Sequence, residues 1–158
     1  MGLAAVVVSS LVVAWGPGVG SARGGVPRPF SFALAPGSPV AVGGNPGAAA
    51  AGDFNGDRRQ DLAVTNDGAA VSVLLGNGRG GFSPAPGPPV AGDGNAVAIA
   101  VDDFNGDGNQ DLVVANYGSS NVTVLLGDGN GRFASAPTSP VRTGRCPASL
   151  VATDLNGD

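Results

Sequence analysis

The side chains of this chain that are best placed to do chemistry are acids, and they come in groups. Asp53-Phe54-Asn55-Gly56-Asp57 returns 50 residues later as Asp103-Phe104-Asn105-Gly106-Asp107, and after a further 51 as Asp154-Leu155-Asn156-Gly157-Asp158. In the first two copies another acid stands at the ninth position, Asp61 and Asp111, and an apolar run follows it. Oxygen donors at alternate positions of a tight, glycine-bearing loop are what a hard cation such as Ca²⁺ requires. Counting from the first Asp, the second loop offers Asp103, Asn105 and Asp107 at positions 1, 3 and 5. The backbone carbonyl of Asn109 follows at position 7, and Asp111 at position 9 is expected to close the shell with both its oxygens. The first loop offers Asp53, Asn55, Asp57, the carbonyl of Arg59, and Asp61, and the third begins with Asp154, Asn156 and Asp158. Six or seven oxygens suit Ca²⁺ better than octahedral Mg²⁺. With no soft donor in the set, Zn²⁺ and Cu⁺ fit poorly.

Three carboxylates held within about 5 Å repel by roughly 0.8 kcal/mol per pair even in water, about 2–3 kcal/mol per loop. An empty loop is therefore expected to loosen. Other acidic Ca²⁺ motifs fit less well. An EF-hand needs an acid at position 12, where Val64 and Val114 stand, and nonapeptide repeats recur every nine residues rather than about every fifty.

Composition agrees that the acidity is placed rather than spread. All 12 acids are Asp, and eight of them (53, 57, 61, 103, 107, 111, 154 and 158) sit at loop positions 1, 5 or 9. The eight basic residues are all Arg and are scattered, so a net charge of −4 leaves no basic stripe for nucleic acid. The chain has no His, which removes the commonest general base and any His-bearing metal site. No catalytic residue is expected, and the chain reads as a non-enzyme. A lone Cys146 has no partner for an internal disulfide.

The elements that carry the loops are short. With 28 Gly and 13 Pro, turns dominate, and the Val, Ala and Leu runs are too brief for long helices. In one unit Ala98–Val101 enters the acidic loop, Leu112–Ala115 leaves it, and Asn116–Ser120 turns the chain. Asn121–Leu126 then forms a third strand, Gly127–Gly131 a second turn, and Phe133 opens a fourth extended segment. Four short strands per unit is the pattern of a propeller blade. Phe32, Phe82 and Phe133 keep this register, each eight residues before Val40, Val90 or Val141, so the repeats begin near residue 32.

The domain reading is a signal peptide over 1–22, a linker over 23–31, and repeats over 32–158. Leu3–Trp15 is an apolar stretch too short to span a bilayer but suited to a secretory signal, with small residues offering cleavage after Ala22. No Lys or Arg precedes it. The chain stops inside the third motif, so the expectation is two blades and the opening of a third. Faces such as Leu112–Ala115 would then have neighbours on one side at most, and the chain would make a poorly stable monomer.

Three weaker signals have ordinary explanations. Gly76–Gly81 lacks the Lys-Ser/Thr of a phosphate-binding loop and reads as a blade turn. Asn121-Val122-Thr123 is a glycosylation sequon at a strand start. Tyr117 sits in a turn that could lie on an exposed rim.

Residues 103–116, Asp-Phe-Asn-Gly-Asp-Gly-Asn-Gln-Asp-Leu-Val-Val-Ala-Asn, with Val-Thr-Val-Leu-Leu-Gly-Asp-Gly-Asn-Gly-Arg-Phe at 122–133, resemble an FG-GAP/VCBS repeat. This is the blade unit of integrin α-subunit propellers and of many secreted bacterial proteins. The similarity covers about residues 32–158. It implies an all-β fold of four-stranded propeller blades, with Ca²⁺ held in a loop between the first two strands of each blade. Arg58 departs from the glycine found at position 6 as Gly108, so a weaker first site is expected if φ is positive there. The functional expectation is a secreted or cell-surface Ca²⁺-binding platform for an extracellular protein or glycan, with no nucleic acid and no membrane span. The alternatives are a propeller attached to a secreted enzyme's catalytic domain, or a purely structural surface array.

Overall fold

The computed structural model describes residues 5–8, 11–14, 35, 37–66 and 70–153. Among them there is no helix, and every strand pairing is antiparallel. Strands β1 (Ala5–Val8) and β2 (Leu11–Ala14) form a hairpin of their own within the stretch expected as the signal core. The expected cleavage point after Ala22 and the linker 23–31 lie outside the described residues.

The repeats form two sheets of the same design. The first contains β3 (Ala49–Gly52), β4 (Asp61–Asn66), β5 (Ala70–Gly76), β6 (Phe82–Pro84) and β7 (Val90–Ala91). The second contains β8 (Ala96–Asp102), β9 (Asp111–Asn116), β10 (Asn121–Gly127), β11 (Phe133–Ser135) and β12 (Val141–Arg142). Strand order follows chain order, β3-β4-β5-β6 and β8-β9-β10-β11, as in a propeller blade. The acidic loops join the first two strands of each blade.

The fourth strand is interrupted. β6 and β7 share one edge of β5, with Gly76 opposite Phe82 at one end and Val71 opposite Val90 at the other. Between them runs Ala85-Pro86-Gly87-Pro88-Pro89, whose prolines have no N–H to give a ladder. In the second blade, β11 and β12 share an edge of β10 in the same way around 136–140. A single backbone bond marks where each bulge leaves the ladder: Ala85 N–H to the Val73 carbonyl and Ala136 N–H to the Val124 carbonyl, both 2.9 Å. The one extended segment expected from Phe133 is therefore two pieces.

The main core lies between the blades. Phe54, Ala63, Val71 and Val73 of the first meet Ala96, Leu112, Val114 and Leu125 of the second, with Ile99, Val101 and Phe133 at the margin. On its other face the first blade buries Leu62, Val64 and Leu74 beneath Val40, Val42 and Phe82. Leu112–Ala115 has a neighbouring blade on one face, as expected. Leu112, Val114 and Ala115 are fully buried and Val113 is 8% exposed, because the first blade covers one face and the strand lies between β8 and β10. Residues 147–153 repeat the register of β8 but form no strand, having no exit strand to pair with among the described residues.

Truncating a side chain in the inter-blade core should be costly. Leu125→Ala is expected to lower the unfolding free energy by about 2–5 kcal/mol, whereas Val151→Ala, at a residue 82% exposed, should stay within about 0.5 kcal/mol. Denaturant titration of both variants checks this, and equal midpoints would contradict the placement of the core.

Candidate metal centre

Two left-handed positions wind each loop. Gly56 and Gly106 at position 4 have φ of 73° and 75°, and position 6 has φ of 63° at Arg58 and 85° at Gly108. The positive φ that would make Arg58 strained is therefore present, since an L side chain resists that region and glycine does not.

This winding turns the side chains at positions 1, 3 and 5 inward onto shared backbone donors. In the first loop Asp57 N–H donates to both Asp53 Oδ1 and Asn55 Oδ1 at 3.1 Å. Arg58 N–H donates to Asp53 Oδ2 at 2.7 Å, and Arg59 N–H to Asp57 Oδ1 at 2.9 Å. The second loop repeats this. Asp103 Oδ1 accepts from Gly106 and Asp107 at 2.8 and 3.2 Å, and its Oδ2 accepts from Gly108 at 2.8 Å. Asn105 Oδ1 accepts from Asp107 N–H at 2.9 Å, and Asp107 Oδ1 from Asn109 N–H at 2.7 Å. In both loops the Asn amide donates to the position-5 carboxylate, at 3.2 Å from Asn55 to Asp57 and 2.9 Å from Asn105 to Asp107.

These residues fit a hard cation. Each loop brings together two carboxylates and one carboxamide, positions 1 and 3 sharing the position-5 amide and position 5 taking the position-7 amide, all of them oxygen donors. Among the described residues no cluster of three or more acids, His or Cys forms a metal cage, which accords with a third donor that is Asn rather than Asp. Residues 154–158, with Asp154, Asn156 and Asp158, lie outside the described residues.

The position-9 acids stand apart from this group. Asp61 and Asp111 are fully buried. Asp61 Oδ2 accepts from Phe54 N–H at 2.9 Å, and Oδ1 from Gly76 N–H at 2.8 Å. Asp111 does the same with Phe104 at 3.0 Å and Gly127 at 2.8 Å. Each carboxylate thus ties the start of its loop to the far end of the third strand. An ion approaching Asp61 or Asp111 meets oxygens already engaged, though a carboxylate oxygen has a second lone pair to share. Glycine is required at 76 and 127, where a Cβ would collide with the backbone carbonyl of Gln60 or Gln110.

Charge separates the two loops further. Arg59 reaches Asp57 Oδ2 with its guanidinium at 3.3 Å, a contact that competes for the oxygen a cation would use. Position 7 of the second loop is the neutral Asn109. Burial pushes the Asp61 carboxyl above its ordinary value; the amides of Gly76 and Phe54 oppose this, and Asp57 and Asp53 add to it. The Asn109 N–H, aided by the Asn105 side chain, holds Asp107 below the ordinary range.

Other sequence signals resolve into structure. Asn121 of the sequon is 6% exposed; it accepts from Asn116 Nδ2 at 2.8 Å and donates to Asp93 at 2.5 Å. Its amide is committed to a buried network that also holds Thr123. The Gly76–Gly81 stretch closes as a turn, with Asn77 N–H bonded to the Gly81 carbonyl at 3.0 Å. Tyr117 is 45% exposed, and Cys146 is exposed and unpaired. Sequence reasoning missed Gln110, whose Oε1 accepts from Asp53 N–H of the other loop at 2.6 Å. Its only sequence signal was a Gln at the same place, position 8, in both complete loops.

Comparison with known proteins gives one match. The profile of the FG-GAP-like repeat matches residues 53–114 and again 103–158. No curated protein and no solved structure matches the chain at a significant level.

Removing a position-9 acid should cost the metal-free fold more than removing a position-5 acid. Asp111→Ala strands two buried amides, at about 1–3 kcal/mol each, and this loss should already be present in a chelator. Asp107→Ala, at an exposed carboxylate, should cost the metal-free fold less than Asp111→Ala; if both variants lose equally in a chelator, the distinction fails.

The two shifted carboxyls also carry opposite pH signatures. Stability from Asp61, whose folded pKa is raised, is full below the ordinary 3.8 and is lost as pH rises through the folded value. Stability from Asp107, whose folded pKa is lowered, is present above 3.8 and is lost as pH falls through the folded value. Carboxyl NMR on the metal-free protein should show Asp107 titrating at lower pH than Asp61, and the reverse order would contradict the assigned environments.

Proposed function

The chain belongs to the FG-GAP-like repeat family, and on that footing we propose that it is a Ca²⁺-binding β-propeller module of a secreted or cell-surface protein. Its role in this reading is to present stiffened loops to an extracellular protein or glycan. The observation that carries the proposal is the repetition of one oxygen geometry, at positions 1, 3 and 5, at the same place in both blades. Acids used only to shape turns would not need the same order of carboxylate, carboxamide and carboxylate, the first two on the position-5 amide and the third on the position-7 amide, in each copy.

Within this reading Asp53, Asn55 and Asp57 hold one ion, and Asp103, Asn105 and Asp107 the other. The carbonyls of Arg59 and Asn109 and the free lone pairs of Asp61 and Asp111 complete the donors. Ca²⁺, when bound, supplies the positive charge that offsets repulsion among the carboxylates. The loop residues then have less freedom, and the exposed end of each blade becomes a firmer surface. Extracellular Ca²⁺ modules bind at roughly 10⁻⁴–10⁻³ M, and at ten times such a constant each site would stabilise the fold by about 1.4 kcal/mol. The module is proposed to be non-catalytic, its acids being committed to the loops. No helix among the described residues is long and apolar enough to cross a membrane.

Titration calorimetry on the chain should show heat at millimolar Ca²⁺, with the tighter site lost in Asp107→Ala and the weaker in Asp57→Ala. Arg58→Gly should strengthen the first site by relieving the positive-φ strain. Absence of heat, or sites of equal affinity in the parent chain, would count against the proposal.

A further inference from the structure

The two complete loops begin with the same five residues, yet their surroundings differ. Phe54 at position 2 is 2% exposed, whereas Phe104 at the same position is 43% exposed. Asp53 and Asn55 are half-buried, while Asp103 and Asn105 are exposed. Those five residues are identical, and the contacts that bury the first copy come from the neighbouring blade.

Three contacts from the second blade close over the first loop. The Phe54 ring meets Phe133 edge-to-face, with centroids 5.4 Å apart and planes at 79°. The Phe54 carbonyl accepts from Gly131 N–H at 2.7 Å. The Gln110 side chain accepts from Asp53 N–H at 2.6 Å. The fit is close: a Cβ on Gly52 would collide with Gln110 Oε1 and the Phe54 ring. The counterpart of Gln110 in the first blade, Gln60, is exposed.

We propose that each acidic loop is finished by the blade that follows it, through a latch made of the position-2 Phe, a turn glycine N–H and the position-8 Gln. The latch pins the backbone on both sides of the position-1 ligand, Asp53, whose carboxylate is in turn held by the amides of Asp57 and Arg58. Docking of the second blade therefore orders the first loop before any cation arrives. An ion that meets an ordered loop gives up less conformational freedom on binding, so its affinity rises. By reciprocity, occupancy of the first loop strengthens blade docking by the same factor. Phe104 is the matching half of a second latch, fitted to a following blade of the same repeat with its own Gln, turn glycine and aromatic ring. The coupling to a cation rests on the Ca²⁺ reading above; the latch itself does not.

Hydrogen exchange by mass spectrometry on the full chain separates the two. In chelator, amides of 53–58 should exchange more slowly than those of 103–108. Gln110→Ala should speed exchange in 53–58 by about tenfold, as expected for one or two lost hydrogen bonds, without the same change in 103–108. Gln60→Ala and Phe104→Ala should change neither loop. Added Ca²⁺ should slow exchange in both loops of the parent, and Gln110→Ala should weaken the apparent affinity of the first loop only. Equal protection of the two loops in chelator, or equal effects of Gln60→Ala and Gln110→Ala, would overturn the latch. A parent chain with a working latch and no response to Ca²⁺ would instead overturn the cation reading and the coupling with it.

Discussion

A buried carboxylate at loop position 9 is the constraint on which each blade depends. Removing a carboxylate from water is expensive unless its oxygens find donors. Asp61 and Asp111 find two each, one at the start of the acidic loop and one at the end of the third strand. That pair of bonds sets where the loop begins and how far the third strand runs. It also explains the glycines at 76 and 127, since the third strand must press against the backbone before position 9 for the bond to form. Burial without these amides would leave a proton on the acid or an open strand end.

With position 9 occupied in this way, the remaining loop acids are free to serve another purpose. They are exposed or half-buried, and they are held by amides of their own loop rather than by the core. Each blade therefore divides its acids between a buried one that builds the sheet and outer ones that the proposed function assigns to a cation. The outer set is not equivalent in the two copies. Arg58 strains the first loop and Arg59 competes for Asp57, while the second blade braces that same loop through Phe54 and Gln110. The second loop has the better intrinsic chemistry and lacks the brace.

Much of the architecture was legible in the sequence because its signals agreed. Period, loop, apolar exit strand and glycine turn all pointed to four short strands per unit, and β3–β6 and β8–β11 follow that order. Gly108 at the equivalent position raised the question of a positive φ at Arg58, and the backbone has one. What stayed hidden depended on contacts between distant residues. Asp111 reads as a ninth-position ligand, and nothing local shows that it also accepts from Gly127 N–H, 16 residues away. Gln110 reaches Asp53 across 57 residues, a span no local pattern encodes. The break between β6 and β7 could have been read from Pro86, Pro88 and Pro89, which cannot donate to a ladder. The burial of Asn121 could not, because it depends on Asp93 arriving from the bend before β8 and Asn116 from β9.

The division of acids between sheet and ion is most directly tested by a crystal structure grown in millimolar Ca²⁺, with anomalous scattering to locate the ions. The account predicts one ion in each complete loop, about 2.3–2.6 Å from oxygens at positions 1, 3 and 5. Asp61 and Asp111 should still be bonded to their paired amides. Ions absent from both loops, or bound with Asp61 and Asp111 swung away from Gly76 and Gly127, would contradict it.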